Sequence, residues 1–190
     1  MERAGPFGRA HDALEGKMEE VKPLDNAQQY LTFILGGEEY AIAILRVREI
    51  LEYSNVTRVP SMPECICGVI NLRGSVLPVV DLAVKFGLPP TEPTKQTCIV
   101  VVEVELDGEQ TVLGVLTDAV NQVIELRDTS IQPPPAFGTR VRLEFLRGLG
   151  EVESGFILVL DIDRLLTNEE LLVSYPAALA AADAEPVPAA

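Results

Sequence analysis

The sequence predicts a mainly all-β fold: two small barrels of about five strands each, related by internal duplication, with a short helix near the C-terminal end. Three observations predict it. Runs of β-branched and aliphatic residues, each of strand length, are separated by turns rich in glycine and proline. Two pairs of these runs carry the same hairpin signature, one in each half of the chain. A longer pattern, Gly68 through Asp81, recurs without a gap as Gly148 through Asp161.

Taken in order, residues 1–27 mix glycine, charge and small residues with no sustained period. They read as a disordered lead-in. Tyr30 to Leu35 and Tyr40 to Ile44 flank Gly36-Gly37, a hairpin signal, because glycine supplies the positive φ that a twist-matched hairpin turn needs. A segment with apolar residues three apart follows, Val47 and Ile50, and then the proline cluster Pro60 to Pro63. The second half repeats this order. Cys98 to Leu106 and Thr111 to Leu116 flank Asp107-Gly108, then come Val120 and Val123, and then Pro133 to Pro135. Each half is too short for a sandwich and is expected to close as a small barrel, which removes exposed strand edges. Pro78 lacks a donor and is expected at a bulge or rim. Small barrels have marginal cores, so the two must pack together and leave a groove between equivalent surfaces. The folded part is expected over residues 28–176 as two intertwined barrels, with a boundary near 90–97 and room for strand exchange across it. Thr167-Asn168-Glu169-Glu170 is a capping box that starts a short helix, ended by Pro176. The Ala- and Pro-rich residues 177–190 read as a disordered tail.

Composition excludes several classes of function. Lys and Arg total 15 against 29 Asp and Glu, a formal net charge of −14. A polyanion gains no counterion release on nucleic acid and is repelled by an anionic leaflet. No apolar run approaches the ~20 residues that span a bilayer, and Met1 to His11 has no apolar stretch of a secretory signal. The thiols Cys65, Cys67 and Cys98 are odd in number and follow no framework spacing, so reduced cytosolic thiols are expected.

Catalytic chemistry is also thin. His11, the only histidine, lies in the lead-in, so no base–nucleophile pair is expected in the fold. Cys65 and Cys67 are expected to project to one face of a strand, but two thiols with a distant Cys98 make a poor zinc set. The glycines at 68, 74, 148 and 150 lack the Lys-Ser/Thr of a phosphate loop. Asp81 and Asp161 are expected to cap a following helical turn. No cofactor and no metal are expected. The unusual segment is Gly68-Val69-Ile70-Asn71-Leu72-Arg73-Gly74, where Asn71 and Arg73 interrupt an apolar stretch. It reads either as a tight connection with Arg73 in solvent, or as a shaped loop presenting Arg73 beside a groove and steadied by Glu49.

These residues resemble the CheW family. Gly68 to Leu82 is that family's most characteristic stretch, and Phe33 to Glu49 looks like its first hairpin and turn. Gly114 to Val123 and Phe145 to Leu166 match its second half, so the resemblance covers roughly Gln28 to Val173. The long lead-in departs from it.

The resemblance implies two SH3-like five-stranded barrels with a hydrophobic region between them. It implies a non-enzymatic cytoplasmic adaptor at membrane-associated receptor arrays. Its partners would be the hairpin tip of methyl-accepting chemoreceptors, the regulatory domain of the kinase CheA, and other CheW copies. By position, Val47, Glu49, Asn71, Arg73, Gly114, Val120 and Val123 match residues of receptor and kinase contact, and Phe137 matches an apolar contact for ring-like association with the kinase domain. Val120 and Val123 would place two anchors on one short turn or else belong to the core. The alternatives are a CheW-like module of a larger signalling protein, CheV-like or the kinase's own regulatory domain, and a small-ligand barrel. The chain ends soon after the second repeat without a receiver or ATP-binding segment, which favours the stand-alone adaptor.

Overall fold

A computed structural model describes residues 26–54, 56–135, 141–167 and 169–170. The expectations for the lead-in, for Phe137, for the helix past Glu170 and for the tail lie outside, or almost wholly outside, these residues. The first half forms β1 (Ala27–Leu35), β2 (Glu38–Ala43), β3 (Val47–Glu52), β4 (Ile66–Leu72) and β5 (Ser75–Asp81), then the single-turn helix α1 (Leu82–Lys85). The second forms β6 (Cys98–Leu106), β7 (Glu109–Thr117), β8 (Ala119–Arg127), the short β9 (Ile131–Gln132), β10 (Leu146–Val152) and β11 (Gly155–Leu160). The β1–β2 turn, Gly36-Gly37, has φ of 58° and 83°, and the β6–β7 turn, Asp107-Gly108, has 49° and 82°. Both φ values are positive at each turn, as a two-residue hairpin matched to strand twist requires.

The strands assemble by exchange. One sheet runs β8-β1-β2-β11-β10-β9 and the other β3-β6-β7-β5-β4. The hairpin of each half therefore sits among the strands of the other half, and neither half closes on itself as the repeat alone suggested. Two parallel pairings make the junctions, Tyr40 and Ala41 beside Leu158 and Val159, and Gly114 and Val115 beside Val79 and Val80. Both hairpins open on a nine-residue strand and turn through two residues of positive φ that end in glycine, so sequence does not distinguish which barrel each completes. Closure is duplicated too. β9, reached from β8 through the 3-10 turn Asp128–Ser130, pairs with β10. In the other barrel Thr57 and Val69 exchange two backbone hydrogen bonds, each of 2.8 Å.

Exchange produces three cores. Ile70, Leu77, Val79, Ile99, Val101 and Leu116 fill one barrel. Tyr30, Ala41, Leu126, Ile157 and Val159 fill the other. A larger central core draws on both sheets and on the segments after β5 and β11, including Phe33, Tyr40, Val80, Leu82, Phe86, Val100, Val102, Phe145, Ile162, Leu165 and Leu166. Four rings run through it in a chain: Phe33–Tyr40 at 6.0 Å, Tyr40–Phe86 at 5.7 Å and Phe86–Phe145 at 5.9 Å between centroids. Each such buried side chain contributes roughly 1.5–3 kcal/mol, so the shared core supplies what each small barrel lacks.

The two capping expectations part company. Asp81 caps α1, its Oδ1 accepting from Ala83 N at 2.9 Å, and its Oδ2 also accepts from Thr91 N at 2.9 Å. Asp161 makes no cap; it pairs instead with Arg164 at 3.2 Å. The capping box is present: Thr167 Oγ1 accepts from Glu170 N at 3.3 Å, and Glu170 Oε2 accepts from Thr167 N at 2.9 Å. Pro78 lies in β5 one residue before that strand begins to pair with β7. Among the described residues no helix is long and apolar enough to cross a membrane.

Candidate functional site

Arg73 and Gly74 form the turn between β4 and β5, with φ of 52° and 87°. Both residues of the turn are exposed, as either reading of the segment requires. A non-glycine residue at positive φ is strained by about 1–3 kcal/mol, and Asn71 offsets it: its Oδ1 accepts from Gly74 N at 2.9 Å. Asn71 thus acts by shaping the turn. The turn aims the Arg73 guanidinium at Glu49 on β3, Nη2 to Oε2, at 3.1 Å. The Arg73 side chain is 79% exposed and that of Glu49 26%. An exposed pair of this kind adds only about 0–1 kcal/mol of stability, so its effect is to orient the cation for a partner.

Val47 and Glu49 lie on β3, and Val120 and Val123 on β8, the outer strands of the two sheets. The three-residue spacing suggested short turns with both apolar residues on one side; the segments are strands, and on a flat strand such residues face opposite ways. A bulge restores the shared face. Phe33 opposes Val120 and Leu31 opposes Val123, so three steps along β8 answer two along β1. The backbone N–H of Gln122, at the bulge, donates to Thr32 Oγ1 at 3.2 Å. The same device acts in β3, where Val102 opposes Val47 and Val100 opposes Ile50. Val47 and Val120 pack on the central core. Ile50 and Val123 stand 44% and 49% exposed. The two halves of the repeat thus present matching apolar pairs beside one core, while Glu49, which opposes Val101 of the barrel core, carries the Arg73 contact on the other face of β3.

Gly114 is buried in β7 and reaches no surface. A Cβ there would lie 2.7 Å from Ile99 Cγ2 and 3.3 Å from Val79 Cγ2, so the glycine lets β5, β6 and β7 close tightly. Phe137 lies outside the described residues.

Three features escape a reading of the sequence. Leu45, in the 3-10 turn Ile44–Arg46, is almost wholly exposed. Arg46 pairs with Asp163 at 2.6 Å, a contact across more than half the chain that no local pattern signals. Lys85 of α1 binds both oxygens of Glu170, at 2.6 and 2.8 Å, and its ammonium lies 5.6 Å from the Phe145 ring centre. Burial alone would raise the Glu170 pKa, but the Lys85 hydrogen bond and charge and the Thr167 contacts bring it below the ordinary value.

The thiols do not share a face. Cys65 belongs to the central core, whereas Cys67, at a bulge in β4, packs on the barrel core, since the extra residue reverses the alternation. Burial, with the Asp81 charge, pushes the Cys67 thiol up to about 12. Burial, then the Glu170 charge, also raises Cys65. Both are thiols at neutral pH, poor ligands and poor nucleophiles. Among the described residues no group of three His, Cys, Asp or Glu is placed to hold a metal ion.

Two exchanged SH3-like barrels, a charged turn and matched apolar edges define an adaptor-type double barrel. Comparison with known proteins gives the family: a CheW-like domain matches residues 29–170, and the chain belongs to the CheW family. The Chemotaxis protein CheW of Klebsiella aerogenes is 40% identical over 144 residues, 76% of this chain and 84% of that protein. That of Helicobacter pylori is 32% identical over 166 residues, 86% of this chain and 94% of the relative. The scaffolding protein TtCheW from Thermoanaerobacter tengcongensis shares the fold with a TM-score of 0.67 at 31% identity, covering 76% of this chain and 96% of that one.

Proposed function

We propose that the protein is a non-enzymatic chemotaxis adaptor of the cytoplasm that couples methyl-accepting chemoreceptors to the histidine kinase CheA at membrane-associated arrays. The observation that carries this reading is that a CheW-family chain sets the Arg73–Glu49 pair on β3, and partly exposed valines on β3 and β8, the two outer strands around one core. A receptor tip is a helical hairpin, and helices are bound through apolar anchors laid along a groove. Val47, Val120 and Val123 serve as those anchors, Glu49 and Arg73 fix register, and Asn71 holds the Arg73 turn. Gly114 contributes through packing. Phe137 is assigned to the kinase domain and to ring-like association, and further copies of the chain join the array. No cofactor takes part.

The test is the affinity of the full chain for a receptor-tip fragment and for the CheA regulatory domain. Val123→Asp places a charge on an exposed anchor without removing core volume. It is expected to weaken tip binding about tenfold or more with unchanged melting. Wild-type tip affinity in this variant contradicts the assignment of β8.

A further inference from the structure

The duplication sets Leu45 against Asp118. Val47 and Ile50 correspond to Val120 and Val123, and stepping back two residues from Val47 and from Val120 reaches these positions. Asp118 has a structural role: its Oδ2 accepts from Gly36 N at 2.7 Å, tying the turn before β8 to the tip of the β1–β2 hairpin. A leucine cannot do this for the β6–β7 hairpin. There the tie comes from elsewhere in the chain. Asp163, in the 3-10 turn Ile162–Arg164, accepts from Glu105 N at 2.7 Å through Oδ1. Its Oδ2 takes Arg46 Nη2 at 2.6 Å, so the same carboxylate also holds the turn Ile44–Arg46.

Position 45 is thereby released from the tie that its counterpart makes, and it carries a leucine that is 92% exposed. The exposure is built in. Ile44 on one side packs against the central core, and Arg46 on the other is held by Asp163. Leu45 is therefore presented outward, two residues before Val47. A single exposed leucine needs no explanation by itself. This one continues the apolar edge formed by Val47 and Ile50, on a turn fixed from outside by a carboxylate.

We propose that Leu45 is an apolar anchor for the helical receptor tip and that Asp163 is a positioning residue, acting through Arg46 to hold the turn that displays it. The inference rests on the receptor-binding reading of β3 and β8. The experiment measures affinity of the full-length chain for a receptor-tip fragment, with melting temperature, for Leu45→Asp, Asp163→Ala, the double variant and Val123→Asp. Leu45→Asp is expected to lose about tenfold or more in affinity and to melt as wild type, because no buried volume changes. Asp163→Ala is expected to bind more weakly, and the double variant to bind no more weakly than Leu45→Asp alone. Such non-additivity marks two residues acting through one contact, which a merely structural Asp163 does not give. Wild-type affinity in Leu45→Asp with weakened binding in Val123→Asp overturns the inference and leaves the receptor site standing. Wild-type affinity in both removes the receptor site and the inference with it. Leu45→Asp decides the anchor even if Asp163→Ala fails to fold.

Discussion

At the scale of single residues, the site is a matter of two side chains and the turn that aims them. Arg73 reaches Glu49 because Asn71 stabilises a backbone conformation that arginine seldom adopts. Reversing the charge with Arg73→Glu sets two carboxylates against each other without opening a cavity, so the fold is expected to survive. Binding to the receptor tip and to the kinase fragment is expected to fall, and the Glu49→Arg, Arg73→Glu double variant to recover part of it. Affinity for both fragments, measured beside thermal melting, checks this; binding and folding lost together would make Arg73 structural. The pairing of Glu49 with Arg73 was open to the sequence as one of two readings. What decides between them is the curl that brings β3 alongside the β4–β5 turn, and no local pattern encodes a curl. Gly114 illustrates the same limit: the family motif marks it as a contact, and only the packing shows Ile99 and Val79 filling the space around it.

At the scale of elements, polar ties at the chain's far end join the barrels. Glu170 closes the capping box and binds Lys85 of α1, so the start of the C-terminal helix is fixed to the segment after β5. The Glu170 pKa is lowered in the fold, so this contribution is present above the unfolded value of 4.5 and is lost as pH falls through the folded value. Lys85→Met keeps the stem and removes the charge. At neutral pH it is expected to cost ~1–3 kcal/mol, with melting lowered by about 2–4 °C per kcal/mol. The gap between variant and wild type should narrow as pH drops below the unfolded value. Melting curves for both across that range check it, and a gap that widens in acid contradicts it. The capping box was legible because its partners lie three residues apart. Lys85 was not, because its partner is 85 residues away. The strands were legible from alternation and turn glycines. The bulges in β3 and β8 were not, since an extra residue leaves no mark in composition and only pairing reveals that Val120 and Val123 share a face.

At the scale of the whole molecule, the duplication encodes the order of elements but not their partners. The Gly68–Asp81 repeat correctly announced two equivalent barrels, whereas hairpin exchange depends on which of two similar hairpins completes each sheet. On the proposed function exchange matters because it builds one core on which Val47 of β3 and Val120 of β8 both pack. On the proposed reading, an adaptor built this way joins two partners and catalyses nothing. The most direct test mixes the full chain with a receptor cytoplasmic fragment and CheA, and measures both co-sedimentation and CheA autophosphorylation. The expected result is a complex containing all three proteins, with kinase activity responding to the receptor fragment only when the chain is present. A chain that binds neither partner, or a kinase equally responsive to receptor in its absence, contradicts the account.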